Sequence, residues 1–310
     1  MAIDPAILPI LVTGGSGKLA RLIVRELLVR GVPPAGLIVT TRTPKRLGEF
    51  AALGVEIRDA DNDRPETLVE AFRGAKRLLL VSGTPEAFLA GVRVQQHRNA
   101  VDAAIAAGVP HLFYTSAPNA DPNTAADAHV DHWKTEQMLK ESGADWTIMR
   151  HWEWPDWHLE HHWRHAVDRG VYYAASGDGC IAHVTRPDTA AADAGALLGT
   201  DVAGKTFDIT GPERLTARTI HAALCRASGR KIELVELEPD ELAAKLLETG
   251  THPDTAPVFA MMATAIREGW YDGFSEDPEV LAGRTRETVG EWLASELPMV
   301  LARPPLGPWD

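Results

Sequence analysis

The chain has 310 residues, 45% of them hydrophobic and 24% charged, and a formal net charge of -12. This is an ordinary globular balance at a size where one large or two medium domains are expected, and its acidity argues against a nucleic-acid binder. No apolar run is long enough to cross a bilayer, no basic segment precedes the first apolar stretch as a signal peptide requires, and Cys180 and Cys225 match neither a disulfide framework nor a metal spacing, so a reducing cytoplasm is the expected setting.

In chain order, residues 7–13 (ILPILVT) read as a strand and residues 17–31 as a helix with Leu19, Ile23 and Leu27 on one face, closed by Gly31. GLIVTT, VEIRDA, AKRLLLVSG, PHLFYTSA and DWTIMRHW read as five further strands. PKRLGEFAALG, RPETLVEAFRG, QQHRNAVDAAIAAG and HVDHWKTEQMLKESG read as the helices between them. Strict alternation predicts an α/β fold, a Rossmann-type doubly wound parallel sheet with right-handed crossovers. After His151 the pattern loosens. A Trp- and His-rich helix, then segments such as LTARTIHAALCRASG and PDELAAKLLETG, predict a smaller, mainly helical substrate domain over 156–310 beside a dinucleotide-binding domain over 1–155, with KTFDITG (205–211) returning to the main sheet.

The first strand-to-helix turn carries Gly14-x-x-Gly17-x-x-Ala20. Glycines permit a tight turn and let backbone N–H groups approach a pyrophosphate at the positive end of the helix. A P-loop does not fit, because Leu19 follows Lys18 where Ser or Thr is needed and Val12 holds the first glycine position. At the end of the second strand, an NAD site usually places a carboxylate for the ribose hydroxyls. This chain instead has Thr40, Thr41, Arg42 and Thr43, then Lys45 and Arg46. Such a cluster suits a 2′-phosphate and predicts NADPH. Asp61 and Asn62, after the third strand, are placed to edge the adenine or to form a plain polar turn. The small residues Ser82 and Gly83, after the fourth, leave room for the cofactor.

These pieces resemble the NmrA-like group of atypical short-chain dehydrogenase/reductases, in particular its quinone oxidoreductase 2 and triphenylmethane reductase branch. VTGGSGKLA, VTTRTPKR, QHRNAVDAAIAAGVPHLFYTS, WKTEQMLKESGADWTIMR and GDGCIAHVTRPDTAAADA carry the likeness, and TGPERLT and LAGRTRETVGEW extend it over nearly the whole chain. The resemblance implies NADPH bound at Gly14, Ser16, Gly17, Lys18 and Leu19, with its 2′-phosphate on Arg42 and its nicotinamide near Ser82, Gly83, Thr115 and Ser116. It implies hydride transfer to a quinone or a similar flat, conjugated acceptor. One departure stands out: His151-Trp152-Glu153-Trp154 replaces the Asn-Gly-Trp/Phe-Tyr common in relatives, so the acceptor end of the site differs.

The usual Tyr-x-x-x-Lys acid is missing, since none of Tyr114, Tyr172, Tyr173 and Tyr271 has a lysine four residues on and Val130 precedes Lys134 at that spacing. A ketone would yield a strongly basic alkoxide that wants a donor, whereas a quinone or cationic dye yields a delocalised, weakly basic product that positioning alone serves. His151, at the ligand end of the sixth strand, is the first candidate donor, with Ser116 and with His132, spaced to pair with Glu136, behind it. Trp152, Trp154 and Trp157, with His151, are the candidate acceptor-binding residues, and Glu153 and Asp156 are placed to draw a cationic substrate. The histidines at 158, 161, 162 and 165 lack the HExxH pattern, and no metal is expected. The expected partner is a small aromatic or conjugated molecule, with no nucleic acid or membrane and with a homodimer allowed. A non-catalytic NADP(H)-sensing regulator, and a carbonyl, imine or benzylic ether reductase, stand as the alternatives.

Overall fold

The computed structural model describes residues 3–123 and 127–307. Its centre is a seven-stranded parallel sheet in the order β3-β2-β1-β4-β5-β6-β8, built from β1 (Ile10–Val12), β2 (Leu37–Thr41), β3 (Glu56–Asp59), β4 (Arg77–Leu80), β5 (His111–Ser116), β6 (Asp145–His151) and β8 (Lys205–Ile209). Ile10 pairs with Leu37 on one side and Arg77 on the other. Strand order therefore reverses at β1, and the crevice beyond its carboxyl end is the place where such sheets bind ligands. The first strand is shorter than the apolar run that predicts it.

The crossover helices are α1 (Lys18–Val29), α2 (Gly48–Ala52), α3 (Leu68–Phe72), α5 (Arg93–Ala106) and α6 (Asp127–Glu141), with a short α4 (Pro85–Leu89) that periodicity does not reveal. The predicted stripe of α1 is buried, with Leu19, Ala20, Ile23, Val24 and Leu27 against the sheet.

The Trp- and His-rich segment is not one regular helix. It runs as α7 (Pro155–His158), a wide π-helical turn at Leu159–Trp163, and α8 (Arg164–Arg169). His158 and His162 both pack against the Phe259 ring, at centroid distances of 5.4 and 5.1 Å. His158, His161 and His162 are all buried, and among the described residues no group of three or more His, Cys, Asp or Glu is arranged to hold a metal. A two-stranded parallel sheet follows, β7 (Val171–Ala174) with β9 (Glu233–Glu236). Beside it lie α10 (Ala217–Ser228), α11 (Pro239–Glu248), α12 (Ala256–Arg267) and α14 (Val289–Leu301).

Residues 186–209 return to the main sheet. α9 (Arg186–Leu198) packs on α1 and on α13 (Asp277–Ala282), and β8 pairs with β6. Alanine and glycine make the close approach possible: a Cβ at Gly195 would lie 1.9 Å from the Leu281 carbonyl oxygen. One continuous apolar core runs from Ile23 and Val39 through Met149 and Trp163 to Leu224 and Leu293. Among the described residues no helix is long and apolar enough to cross a membrane.

Candidate cofactor and acceptor site

The glycine turn joins β1 to α1. Gly14 takes φ +65°, a conformation that favours glycine, and the Gly17 N–H donates to its carbonyl at 2.9 Å. Gly17 is the N-cap of α1 and offers no side-chain acceptor to the first helical N–H groups. Ser16 is half-buried, Gly17 and Lys18 are exposed and Leu19 is buried. An open helix mouth with no Cβ over it and spare N–H donors fits a pyrophosphate. Gly15, which the spacing does not single out, is the tightest position: a Cβ there would meet Val39 Cγ1 at 2.1 Å. It sets how closely the turn lies on β2.

At the end of β2, Thr41 donates to Ser16 Oγ at 3.2 Å and accepts from the Thr43 N–H at 3.1 Å, tying the two turns together. Arg42, Lys45 and Arg46 are exposed. The nearby Glu49 carboxylate is taken by Arg21 and Arg25, and among the described residues neither Arg42 nor Lys45 has an ion-pair partner. The local positive charge is therefore available to an anion. Asp61 closes its own turn instead of standing free, accepting from the Asp63 N–H and pairing with Arg64.

The ends of β4 and β5 are stitched together. The Thr115 hydroxyl accepts from the Ser82 N–H at 2.8 Å, and His97 Nε2 accepts from the Gly83 N–H at 3.0 Å. His97 Nδ1 then carries the proton and donates to Thr135 at 2.9 Å. Burial and the Arg93 charge hold His97 near pKa 3, so it stays the neutral acceptor this arrangement needs. Nothing in the residues around His97 signals this role in advance.

The Ser116 hydroxyl donates to Glu136 at 2.7 Å, and Glu136, fully buried, is clasped by Arg150. The expected pairing of His132 with Glu136 is therefore not formed. His132 Nδ1 instead accepts from the Tyr114 hydroxyl at 2.8 Å. Burial drives the Tyr114 pKa up and the His132 pKa well below its usual value, so His132 is a neutral structural acceptor and not an acid at neutral pH. His151 does lie at the ligand edge, with its Nε2 2.8 Å from Asp193 Oδ1 in a buried pair. Asp193, hidden in an alanine-rich helix, orients the ring as a carboxylate orients a catalytic histidine.

The aromatic lining is smaller than the sequence suggests. Trp152 is 3% exposed and lies over Gly273, where a Cβ would meet the indole at 2.3 Å. Trp157 stacks on Phe259 with ring centroids 4.3 Å apart, and Trp163 is buried in the core. Trp152 and Trp163 are core rings, while Trp157 packs on the core and, like Trp154, keeps partial exposure. Trp154 is partly exposed, 6.1 Å from the His151 ring, with Arg186 over its face at 3.9 Å. Asp156 is paired with Arg186, and burial pushes Glu153 up to about 7, so neither is a permanently charged, unpaired anion for a cationic substrate.

The model of a family described as NAD(P)H-binding matches residues 14–191. The chain is 32% identical over 287 residues to quinone oxidoreductase 2 of Escherichia coli K12, covering 91% of this chain and 96% of that one. The crystal structure of the Escherichia coli NADPH-dependent quinone oxidoreductase complexed with NADPH superposes with TM-score 0.86 at 30% identity, over 93% of this chain and 99% of that one. Citrobacter sp. triphenylmethane reductase complexed with NADP(H) superposes with TM-score 0.84 at 27% identity, again over 93% and 99%. The glycine turn, the parallel sheet and these likenesses place the chain in the NAD(P)H-binding family, among its NmrA-like oxidoreductases, with a nicotinamide dinucleotide as cofactor.

Proposed function

We propose that this protein uses NADPH to reduce quinones and similarly flat, conjugated acceptors. The dinucleotide, when bound, supplies the hydride. Gly14, Ser16, Gly17, Lys18 and Leu19 hold its pyrophosphate, Arg42 and Lys45 its 2′-phosphate, and Asp61 the adenine edge. Ser82, Gly83, Thr115 and Ser116 border the nicotinamide. His151 and Trp154 face the acceptor, in a cleft between the sheet and the helical part that begins near residue 155. The same reading has it working in the cytoplasm, with a homodimer allowed.

The observation that carries the acceptor class is the state of the phenols. Tyr114, Tyr172 and Tyr271 are all buried with their pKa pushed upward, and Tyr173 has no lysine four residues on, so no phenol supplies the acid of the usual Tyr-x-x-x-Lys kind for reducing a simple ketone. An acceptor whose reduced form is a weak base needs positioning more than proton donation. Quinones, cationic dyes, enones, ketones and imines, each followed by loss of NADPH absorbance, test this. Turnover with quinones or dyes and not with simple ketones is expected. Tight NADPH binding with no turnover on any of them refutes it and favours a sensor.

A further inference from the structure

We infer that Glu153 is the group that gives the reduced acceptor its proton, with Tyr271 as its positioning residue. This rests on the reductase reading above and goes beyond it, because that reading leaves the proton unassigned.

Glu153 stands two residues past His151, just beyond the carboxyl end of β6, at the edge of the sheet where the site lies. Its backbone is fixed: the carbonyl accepts from the Val184 N–H at 3.1 Å and from His183 Nδ1 at 3.2 Å. Its side chain is deep in the fold but not sealed. Oε1 accepts from the Tyr271 hydroxyl at 3.4 Å. Oε2 has no hydrogen-bond partner among the described residues, yet it is not enclosed, and the side chain keeps partial exposure. A carboxyl with one oxygen anchored and the other open can present a proton to a ligand.

The anchor is itself bipolar. The Tyr271 oxygen lies 3.2 Å from His129 Nε2, and one hydroxyl proton cannot serve both neighbours. With Glu153 ionised, His129 Nε2–H donates to Tyr271 and Tyr271 donates to Glu153. With Glu153 protonated on the open Oε2, Oε1 still accepts from Tyr271 and Tyr271 still accepts from His129 Nε2–H. The carboxyl can therefore lose and regain its proton without disturbing these two bonds, while His129 Nδ1 stays buried with no hydrogen-bond partner among the described residues. Five groups face it from the packed elements: Tyr271, His129 on α6, Arg186 on α9, Asp156 on α7, and His183. Burial and the Asp156 charge raise its pKa, Tyr271 and Arg186 lower it, and the balance is about 7. That is the range suited to an acid working at neutral pH.

The step balances as follows. The acceptor quinone takes a hydride, two electrons and one hydrogen nucleus, from the reduced nicotinamide and becomes the hydroquinone monoanion. The carboxyl O–H bond of Glu153 breaks, a phenolic O–H bond forms on the acceptor, and the carboxylate regains its proton from water as the product leaves. His151 is not free for this step in the same way, since its Nε2–H is given to Asp193.

The test compares the full-length wild type with Glu153→Gln and Tyr271→Phe, using a soluble benzoquinone as acceptor across pH. NADPH affinity by fluorescence, and the carboxylic C=O infrared band of the protein without acceptor, are read in parallel. Expected are a wild-type kcat that falls as pH rises through about 7, and a kcat roughly tenfold lower in Glu153→Gln with that limb gone. The Tyr271→Phe limb should shift. NADPH affinity should be unchanged in both variants, which also shows that they fold, and a carboxylic band should titrate near neutral pH in the wild type and be lost in Glu153→Gln. A Glu153→Gln enzyme with wild-type kcat and pH limb, or a wild type with no such band, overturns the assignment. A wild type inert with every quinone overturns the reductase reading instead, and the infrared band tells that failure apart.

Discussion

Arg150 grips Glu136 with two nitrogens of one guanidinium: Nε lies 2.9 Å from Oε1 and Nη2 2.8 Å from Oε2. The carboxylate is fully buried while Arg150 keeps 22% of its side chain exposed, and the third bond to Glu136 comes from Ser116. The pair therefore locks the carboxyl ends of β5 and β6, the edge on which nicotinamide and acceptor are to meet. Removing one partner strands the other. Glu136→Ala should cost about 3 kcal/mol in urea unfolding, more than a surface ion-pair deletion. A loss below about 1 kcal/mol, the range of exposed pairs, would show that the clasp holds little.

Arg42 faces solvent at the end of β2 with no ion-pair partner among the described residues, beside Lys45. A doubly charged phosphate there would gain charge-assisted hydrogen bonds. Arg42→Ala should weaken NADPH binding by roughly tenfold to a hundredfold and leave NADH nearly unchanged. The selectivity between the two nucleotides, measured by fluorescence titration, is the readout. An equal loss for both would mean that Arg42 does not touch the phosphate.

Two tryptophans three residues apart should behave in opposite ways. Trp154 is partly exposed beside His151, with its indole N–H given to Thr189 at 3.2 Å. Trp157 is stacked on Phe259 within an apolar cluster that includes Leu242 and Ala256. Trp154→Phe should raise the acceptor KM several-fold with little change in melting temperature. Trp157→Ala should lower the melting temperature, at a cost of about 3 kcal/mol, with KM much less affected. Reversed behaviour would move the acceptor to the other side of the helix.

The buried histidines fix the acid stability. Burial depresses His129, His162 and His183 to about 4 and His97 to about 3, from an ordinary 6.5. Their folded pKa values lie below the unfolded ones, so their contribution is complete above about 6.5 and is lost as pH falls toward 4. In that window the unfolded chain binds more protons, and each such histidine adds about 1.4 kcal/mol per pH unit to the slope. Glu153 acts oppositely, since its raised pKa gives stability that is lost as pH rises through about 7, but it is one group against several. Unfolding free energy should therefore drop by several kcal/mol from neutral pH to about pH 5. A flat profile would contradict the buried, neutral state of these rings.

Much of the fold was legible because it rests on local periodicity. The apolar stripe of α1 and the β-branched runs of β2 and β4 name their own elements, and alternation names the parallel sheet. The glycine turn was legible for the same reason, since Gly14 and Gly17 lie between the end of β1 and the start of α1, and Arg42 and Ser82 follow β2 and β4. What the sequence could not show depends on contacts far apart in the chain. Gly15 matters because Val39 lies over it, Asp193 because it meets His151, and Glu153 because Tyr271 comes to it from 118 residues away. Composition does not tell a pocket ring from a core ring: Trp152 and Trp163 are buried, whereas Trp154 and Trp157 keep partial exposure. The wide turn at Leu159–Trp163 could not be read from periodicity either.

The most direct test of the whole account is a single-turnover experiment: wild-type protein loaded with NADPH is mixed rapidly with excess benzoquinone while the reduced-nicotinamide absorbance is followed. The account predicts prompt oxidation of the bound nucleotide, faster than when NADH is loaded at equal concentration. Bound NADPH that survives mixing unchanged would contradict it.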